Sequence, residues 1–301
     1  MVEFKDHECN TCDFRDCGIG KDDVFLACLL SKHKPAWQPH PLYLEYLRIK
    51  NLTMPFSLEG KVAIITGGLG QLGRQYTKAI IDAGAKVATF DIVPGSPYLV
   101  DITSKESVKK GVEAVVKDLG VPSILINNAA IDAPPGSAGG SKPFEDYPID
   151  DLDKVFDVNV KGMIICCQEI GKIMAEHKNG SIINISSIYG NVSPDQRIYE
   201  YRQPRFVKPV AYSVTKAAVL NLTRYLATYW AKDGVRVNTL SLGGVFNNQD
   251  PEFLKNYTTK VPLGRMARED EYNGAIVFLA SDASSYMTGS NMIIDGGYIA
   301  W

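Results

Sequence analysis

Tyr212 and Lys216 are the two residues of this 301-residue chain whose types and spacing most directly indicate acid–base chemistry. They are four residues apart, so on a helix both side chains lie on one face, one turn apart. A tyrosine hydroxyl ionises at about pH 10, and a nearby lysine ammonium lowers that pKa by stabilising the phenolate. The pair is therefore predicted to exchange a proton with an alcohol oxygen. The alternative is an exposed helix that carries both residues by chance.

Ser187 and Asn159 are further candidates for the same site. Ser187 follows residues 181–186, which are predicted to form a strand. Its hydroxyl can hydrogen-bond a substrate carbonyl as charge builds on oxygen, or it can simply form a turn. Asn159 interrupts a helical region, residues 149–174, where asparagine is disfavoured. We expect it either to make a structural hydrogen bond or to bend the helix and open a carbonyl to water.

A glycine-rich stretch near the start of the α/β pattern is typical of a dinucleotide-binding turn. Residues 61–66 predict a buried parallel strand, and residues 74–83 predict a helix. Between them, Gly68, Gly70 and Gly73 satisfy G-x-G-x-x-G in the required strand–turn–helix context. Such glycines let the backbone approach a pyrophosphate, and the helix N-terminus offers free N–H groups to it. The alternative is a tight turn that serves helix packing alone.

Asp91 ends the second predicted strand, residues 86–90. It lies about 20 residues beyond the glycines, where a carboxylate binds the adenosine ribose hydroxyls and repels a 2′-phosphate. No basic residue follows it before Lys105. NAD is therefore predicted in preference to NADP, unless Asp91 is a plain surface residue.

Strands and helices alternate along the rest of the chain. This alternation predicts an α/β fold with a Rossmann-type, doubly wound parallel sheet and right-handed crossovers. Asn128 and Ala129 follow the fourth strand, at the edge where such sheets bind ligands. One domain is predicted over residues 55–301. Its other strands are predicted at 98–102, 123–126, 235–240 and 291–294, and its other helices at 104–119 and 212–232.

Residues 1–54 differ from this domain and are predicted to be an N-terminal extension. They hold four of the six cysteines and three of the four histidines. The spacing matches neither a zinc pattern nor an iron–sulfur pattern. We therefore predict no metal, although a metal site and a reduced appendage both stay open. A short amphipathic helix is predicted at 41–50. The soft ligands are His7, Cys9, Cys12, Cys17 and Cys28.

Charge and hydropathy exclude several classes of protein. The net charge of −2 argues against a nucleic-acid or anionic-membrane partner. There is no run of about 18 apolar residues that would span a membrane, and the N-terminus lacks a secretory signal. Cys166 and Cys167 are interpreted as small core hydrophobes. With no disulfide framework indicated, a reducing cytoplasm is the expected location.

Taken together, these motifs resemble those of the short-chain dehydrogenase/reductase family over residues 56–301. The resemblance implies a Rossmann fold, a bound nicotinamide dinucleotide, and hydride transfer between NAD(H) and a secondary alcohol or its ketone. It also implies a small-molecule substrate and a homodimer or homotetramer. The motifs are Thr66-Gly67 to Gly73, Asp101-Ile102, Asn127-Asn128-Ala129, Asn159, Ile185-Ser186-Ser187, Tyr212-x3-Lys216, Asn238 with Gly243-Gly244, and Asp295-Gly296-Gly297.

The resemblance also implies a role for each site residue. Tyr212 is the acid/base, Lys216 lowers its pKa and binds the nicotinamide ribose, and Ser187 orients the substrate oxygen. Asn159 holds a water that links Lys216 to solvent. The implied cofactor contacts are Gly67, Gly70, Gln71, Leu72, Gly73, Asp91, Asp101, Ile102, Asn128, Ala129, Tyr212, Lys216 and Val245.

Three departures from the family pattern stand out. Gln71 occupies the place of the usual middle glycine, which makes the spacing similar to the family's extended branch of nucleotide-sugar epimerases and dehydratases. Only 85 residues follow Lys216, however, too few for that branch's substrate domain. Leu242 replaces a common proline. An insertion at 191–209 lengthens the segment between Ser187 and Tyr212.

The insertion motivates a substrate hypothesis. Its cations could bind a phosphate or carboxylate, and residues 245–267 are similar to oxidoreductases of bacterial surface-sugar and flagellin-glycan pathways. A phosphorylated or nucleotide-linked sugar is therefore one hypothesis, and a subunit contact is the alternative role for the insertion. A dinucleotide sensor or scaffold, and epimerisation through transient hydride transfer, also stay open. The cations are Arg197, Arg202, Arg205 and Lys208.

Overall fold

The computed structural model describes residues 56–137, 140 and 142–301. In this part of the chain, seven parallel strands form one sheet in the order β3-β2-β1-β4-β5-β6-β7. The order reverses between β1 and β4, where such sheets bind ligands at their carboxyl ends. The Rossmann-type prediction is confirmed. The strands are β1 Val62–Thr66, β2 Lys86–Asp91, β3 Tyr98–Leu99, β4 Ile124–Asn127, β5 Gly180–Ser187, β6 Val235–Leu242 and β7 Asn291–Ile294.

Helices cover both faces of this sheet. One apolar cluster joins it to α2, α4 and α5, and a second joins its opposite face to α1 and α7. Every residue of β1, β4 and β5 is buried, which explains the nearly continuous apolar sequences of β1 and β4. The helices are α1 Gln71–Asp82, α2 Lys105–Asp118, α3 Ile149–Phe156, α4 Met163–Glu176, α5 Val210–Trp230, α6 Pro251–Thr258 and α7 Asn273–Ala280.

Gly171 sets the close approach of α4 and α5. A Cβ atom at Gly171 would lie 2.4 Å from the Trp230 ring, so the ring packs directly on the α4 backbone. Trp230 is only 8% exposed. This contact fixes α5, which carries the Tyr212–Lys216 pair, against the helix that follows Asn159.

Three local features differ from the sequence predictions. The helix predicted at 149–174 is divided by a π-helical turn, Asp157–Gly162, and β3 has two residues instead of five. Helices α6 and α7 were not predicted. Helix α6 does have a start signal, since the Asp250 side chain caps it by accepting from the Phe253 N–H group.

The predicted boundary at residue 54, the helix at 41–50 and the cysteine-rich stretch lie outside the described residues. Within residues 56–301 apart from the gaps named above, no helix is long and apolar enough to cross a membrane. The same part of the chain holds no group of three His, Cys, Asp or Glu side chains able to bind a metal ion.

Candidate active site

The carboxyl ends of the central strands bring the predicted site residues to one edge of the sheet. β1 leads into Gly67, β2 ends at Asp91, β4 leads into Asn128 and β5 ends at Ser187. The parallel pairing of these neighbouring strands places all four at the same edge. The fold therefore assembles the site from positions that are far apart in the sequence.

The glycine-rich turn forms a cradle that side chains would fill. Gly67 has a φ of +63°, and a Cβ atom at Gly73 would lie 2.1 Å from the Gly67 carbonyl oxygen. Gly70 directly precedes α1, whose first N–H groups have no partner within the helix. A turn without side chains next to a helix N-terminus fits a dinucleotide pyrophosphate.

Asn128 fixes this turn to the end of β4. Its Nδ2 group donates to the carbonyl oxygens of Thr66 and Gly67, at 3.1 Å each. The Thr66 hydroxyl accepts in return from the backbone N–H groups of Asn128 and Ala129, at 3.0 Å each. Asn128 and Ala129 therefore lie against the cradle, and Asn128 shapes it through its side chain.

The Asp91 carboxylate lies directly beside the turn. Its oxygens accept from the N–H groups of Leu69, at 3.0 Å, and Val93, at 3.1 Å. The carboxylate at the end of β3 is different, because Asp101 is exposed and accepts twice from Thr103. Asp91 is thus held where a ribose bound at the turn would meet it.

The other predicted cofactor residues divide into side-chain and backbone positions. The Ile102 side chain is buried in one apolar cluster and the Leu72 side chain is partly buried against the other, so their backbone groups are the polar atoms that they offer to a ligand. The Gln71 side chain instead donates to the Phe246 carbonyl oxygen at 2.9 Å. This bond joins the turn to the segment of Val245, which forms a parallel bridge with Ala267.

Tyr212, Lys216 and Ser187 meet at the start of α5. The Lys216 Nζ atom is 5.8 Å from the centroid of the Tyr212 ring and donates to the Ile185 carbonyl oxygen at 3.0 Å. The Ser187 hydroxyl is close enough to lower the pKa of Tyr212. It also accepts from the Tyr189 N–H group at 3.1 Å. The four-residue spacing therefore places phenol and ammonium side by side, as predicted.

Asn159 connects the loop after β4 to α5. Its amide accepts from the Ile131 N–H group and donates to the Ile131 carbonyl oxygen, at 2.8 Å each. The remaining amide hydrogen bonds the Thr215 hydroxyl at 3.1 Å. Asn159 thus makes the structural bonds and also lies in the bend, the π-helical turn. Because both amide hydrogens of Asn159 are used, a water molecule that links Lys216 to solvent would have to bind a backbone carbonyl group of this turn.

Comparison with known proteins identifies the family. Residues 71–299 match a family model described as enoyl-(acyl carrier protein) reductase. The chain is 32% identical to sorbose reductase of Candida albicans, over 90% of this chain and 98% of that protein. It is 35% identical to a short-chain dehydrogenase of Leptospira borgpetersenii solved with bound NAD+, at a TM-score of 0.71 over 80% of this chain and 94% of the other. The chain belongs to the short-chain dehydrogenase/reductase family.

Two further proteins similar to this short-chain dehydrogenase/reductase show other substrates and cofactors within the family. D-threitol dehydrogenase of Mycolicibacterium smegmatis is 32% identical over 81% of this chain and 94% of that protein. A gluconate 5-dehydrogenase of Burkholderia cenocepacia, solved with NADP and tartrate, is 25% identical at a TM-score of 0.73 over 82% of this chain and 98% of the other. Members of the family thus bind NAD or NADP.

Burial dominates the ionisation of the Tyr212–Lys216 pair in this dehydrogenase. Removal from water, together with the Asp132 carboxylate, raises the pKa of Tyr212 to about 12, and Ser187 offsets part of this rise. Burial also lowers the pKa of Lys216 to about 8, although Asp132 acts in the opposite direction. Desolvation disfavours both charged forms. Burial is thus the largest influence on both groups, and the lowering of the Tyr212 pKa by Lys216 stays a prediction.

The pKa of Lys216 predicts a rise of stability with pH. An unfolded lysine keeps its proton up to about pH 10.4, whereas folded Lys216 loses it at about pH 8. Between these values the unfolded state binds more protons, so the free energy of unfolding increases with pH. Tyr212 acts in the opposite direction only above about pH 10. Urea unfolding of wild type and Lys216→Met at pH 7.5 to 9.5 measures the effect.

The variant provides the control for this measurement. Without the amine, the free energy of unfolding should rise less steeply with pH. The difference in free energy of unfolding between wild type and Lys216→Met should therefore change by about 1–2 kcal/mol between pH 7.5 and 9.5. Parallel pH dependences of wild type and Lys216→Met would contradict the lowered pKa.

Ion pairs within the protein occupy most cations of the insertion. Arg197 pairs with Asp195 at 2.8 Å, and Arg202 pairs with Asp250, at the start of α6, at 2.9 Å. Lys208 pairs with Asp132 at 2.6 Å, and among the described residues only Arg205 of the four has no ion-pair partner. The cations therefore mainly neutralise the protein's own carboxylates and tie the insertion to neighbouring segments.

An aromatic cluster beside Tyr212 was missed in the sequence analysis. Rings from the insertion, α6 and the C-terminal segment pack at centroid distances of 5.0 to 6.3 Å. Its member Tyr257 also accepts from the Gly244 N–H group at 2.7 Å, which fixes the segment before Val245. Aromatic residues in the insertion were the available signal. The cluster consists of Tyr189, Tyr199, Phe206, Phe253, Tyr257 and Tyr298.

Leu242 shows what replaces the common proline of the family. It is the last residue of β6, where it pairs with Ser187 of β5 and Ile294 of β7. Its side chain is buried in the apolar cluster of α1 and α7. The leucine therefore keeps β6 regular up to Gly243, whose N–H group bonds the Ile294 carbonyl oxygen at 2.8 Å.

Proposed function

We propose that this short-chain dehydrogenase/reductase interconverts a secondary alcohol and a ketone on an open-chain polyol or sugar, with NAD(H) as cofactor. The observation that carries the proposal is the meeting of Tyr212, Lys216 and Ser187 beside a glycine cradle. The relatives support the substrate class, because sorbose and D-threitol both carry several neighbouring hydroxyl groups.

The side chains divide the proton chemistry between them. In the oxidation direction, ionised Tyr212 takes the proton of the substrate hydroxyl. Bound NAD+ would accept the hydride from the carbon that carries this hydroxyl group. Its positive charge would also favour the ionised form of Tyr212. Ser187 hydrogen-bonds the substrate oxygen, and the Lys216 ammonium stabilises ionised Tyr212. In the reduction direction, Tyr212 returns the proton to the oxygen.

The cradle and Asp91 would hold the cofactor. The N–H groups at the start of α1 would bind the pyrophosphate, and the Asp91 carboxylate would bind the ribose hydroxyls. A 2′-phosphate next to this carboxylate would be repelled, which supports NAD over NADP. Asparagine at this position would keep an acceptor for the Leu69 N–H group, but would lose the charge and the acceptor for the Val93 N–H group.

We therefore expect Asp91→Asn to reduce the preference for NADH over NADPH by about tenfold. Dissociation constants for both cofactors, measured by fluorescence titration, give the ratio. Asp82→Asn is the matched control, because its exposed carboxylate ends α1, at the opposite end of this helix from the cradle, and pairs with Lys78. An Asp91→Asn ratio equal to that of wild type would show that Asp91 does not face the ribose.

The ion pairs of the insertion favour an uncharged polyol over a phosphorylated or nucleotide-linked sugar. A free cationic cluster would attract a phosphate, but Arg197, Arg202 and Lys208 each lie against a carboxylate. An anion would have to break these pairs, and among the described residues Asp132 would then lose its cation, although Asp195 would keep Lys260.

Turnover assays test the proposal. Purified protein with NAD+ or NADP+ is screened against D-threitol, D-sorbitol, 2-butanol and a set of sugar phosphates, and NADH formation is followed by its absorbance. Net NADH formation with a polyol supports the proposal. Substrate conversion without net NADH would indicate epimerisation, and tight NADH binding without conversion of any alcohol would indicate a sensor.

We also propose a homodimer or homotetramer formed through α4 and α5. A groove of about 750 Å³ lies between these helices. Beside it, Tyr225 and Tyr229 are 63% and 59% exposed and stack at 6.0 Å. Exposed aromatic side chains next to an apolar groove are typical of interfaces.

Light scattering measures the assembly. We expect a mass of two or four times 33.1 kDa, and a lower mass for Tyr229→Glu. A wild-type mass of one chain would contradict the oligomer. A cytoplasmic location stays a prediction, which the free thiols of Cys166 and Cys167 support.

A further inference from the structure

Asp132 and Lys208 form an ion pair directly beside Tyr212. The Lys208 Nζ atom is 2.6 Å from Asp132 Oδ2 and 4.6 Å from the centroid of the Tyr212 ring. The Lys208 side chain is 14% exposed and that of Asp132 is 49% exposed. The pair thus lies next to the acid/base residue, in a position that is partly open to solvent. The roles assigned above to Tyr212, Lys216, Ser187 and Asn159 do not use it.

Hydrogen bonds to neighbouring segments hold both members in place. The Lys208 backbone is fixed by Gln196, which accepts from its N–H group at 2.9 Å and donates to its carbonyl oxygen at 3.4 Å. Asp132 follows Ile131, whose N–H and carbonyl groups both bond Asn159. The pair is therefore positioned from the insertion on one side and from the π-helical turn on the other.

The pair keeps free hydrogen-bonding capacity. Among the described residues, Lys208 Nζ bonds only Asp132, which leaves two of its hydrogens, and Asp132 Oδ1 has no partner. The Asp132 charge also acts on Tyr199, Tyr212 and Lys216, whose pKa values it raises. Its carboxylate is therefore within electrostatic reach of the whole reaction site.

We propose that Asp132 and Lys208 recognise a second hydroxyl group of the substrate. This group lies on the carbon next to the one whose hydroxyl group exchanges a proton with Tyr212. The carboxylate accepts a hydrogen bond from this hydroxyl, and the ammonium donates one to its oxygen. A hydroxyl group is donor and acceptor at once, so it matches an ion pair better than an anion does. The inference rests on the proposed function and makes the pair a determinant of specificity for polyols.

Substitution of the pair tests this role. The measured quantity is the ratio of kcat/KM for D-threitol to kcat/KM for 2-butanol, which has the same carbon skeleton and a single hydroxyl. Lys208→Met and Asp132→Asn should each lower this ratio by about tenfold or more, the effect of losing a hydrogen bond to a charged group. Most of the loss should appear in KM for D-threitol, with no change in the dissociation constant of NADH.

Two further variants separate specificity from folding. Lys208→Arg keeps a charged donor, so its ratio of kcat/KM for D-threitol to kcat/KM for 2-butanol should stay close to that of wild type. Arg197→Gln removes an ion pair of the same insertion whose Arg197 side chain is 74% exposed, and should leave the ratio unchanged. Melting temperatures show whether each variant is folded.

The remaining outcomes overturn the proposal. Equal losses of kcat for both alcohols, with a displaced pH profile, would mean that the pair acts on Tyr212. Ratios equal to that of wild type would mean that the pair only supports the insertion. Wild-type turnover of 2-butanol but of no polyol would refute this inference and leave alcohol oxidation in place. Absence of any alcohol turnover would refute the proposed function itself.

Discussion

Tyr212→Phe is expected to lower kcat by about 10²- to 10⁴-fold, the usual contribution of a general acid–base group. The variant removes the atom that exchanges the proton and keeps the ring, which packs beside the aromatic cluster and lies within 6 Å of both the Lys208 and Lys216 ammonium groups. The site should therefore keep its shape, and the dissociation constant of NADH should change less than about twofold. Steady-state kinetics and fluorescence titration measure the two quantities.

Tyr286→Phe is the matched control, because Tyr286 is fully exposed and lies outside the site. It should leave kcat unchanged. Retained activity in Tyr212→Phe would remove Tyr212 from the proton transfer. A parallel loss of NADH binding would show instead that the hydroxyl supports the cofactor site. Only a selective loss of kcat agrees with the proposed role.

The elements that carry the chemistry could be predicted because their signals are local. Buried parallel strands read as apolar β-branched runs, and glycines at fixed offsets mark the turn that follows β1. The Ser104 side chain caps α2 by accepting from the Ser107 N–H group, and α2 lies within the helix predicted at 104–119. The cradle, Asp91 and the start of α5 therefore follow from short stretches of sequence.

The insertion could not be predicted, because its conformation depends on distant partners. Asp195 bonds Arg197 nearby but also pairs with Lys260, at 2.6 Å, and Arg202 pairs with Asp250. From the sequence, the arginines and Lys208 indicated an anionic substrate. The structure shows that the partners of three of these cations are carboxylates of the chain itself. Charge in a sequence does not reveal which charges are already neutralised.

The ionisation of Tyr212 shows the same limit. The four-residue spacing predicts that the ammonium of Lys216 is near, which it is, but not how strongly both groups are desolvated. Burial acts on both partners at once, raising one pKa and lowering the other. Geometry can be inferred from spacing, whereas the pKa depends on everything that excludes water from the site.

Gly73→Ala is expected to weaken NADH binding by about 100-fold or more, which corresponds to about 2.7 kcal/mol. The added Cβ atom would lie 2.1 Å from the Gly67 carbonyl oxygen and 2.8 Å from the Gly68 Cα atom. Both are backbone atoms of the cradle, so the turn must open or α1 must move away from β1. Either change displaces the N–H groups that would bind the pyrophosphate.

Two other glycines supply the comparison for this variant. A Cβ atom at Gly70 would lie 3.3 Å from the same oxygen, and one at Gly274 in α7 would meet nothing within 4 Å. Gly70→Ala should therefore weaken binding far less than Gly73→Ala, and Gly274→Ala should not affect it. Equal NADH affinities of Gly73→Ala and Gly70→Ala would show that the cradle does not bind the cofactor. A graded loss would instead tie NADH affinity to the one glycine at which the helix and the turn leave no room for a side chain.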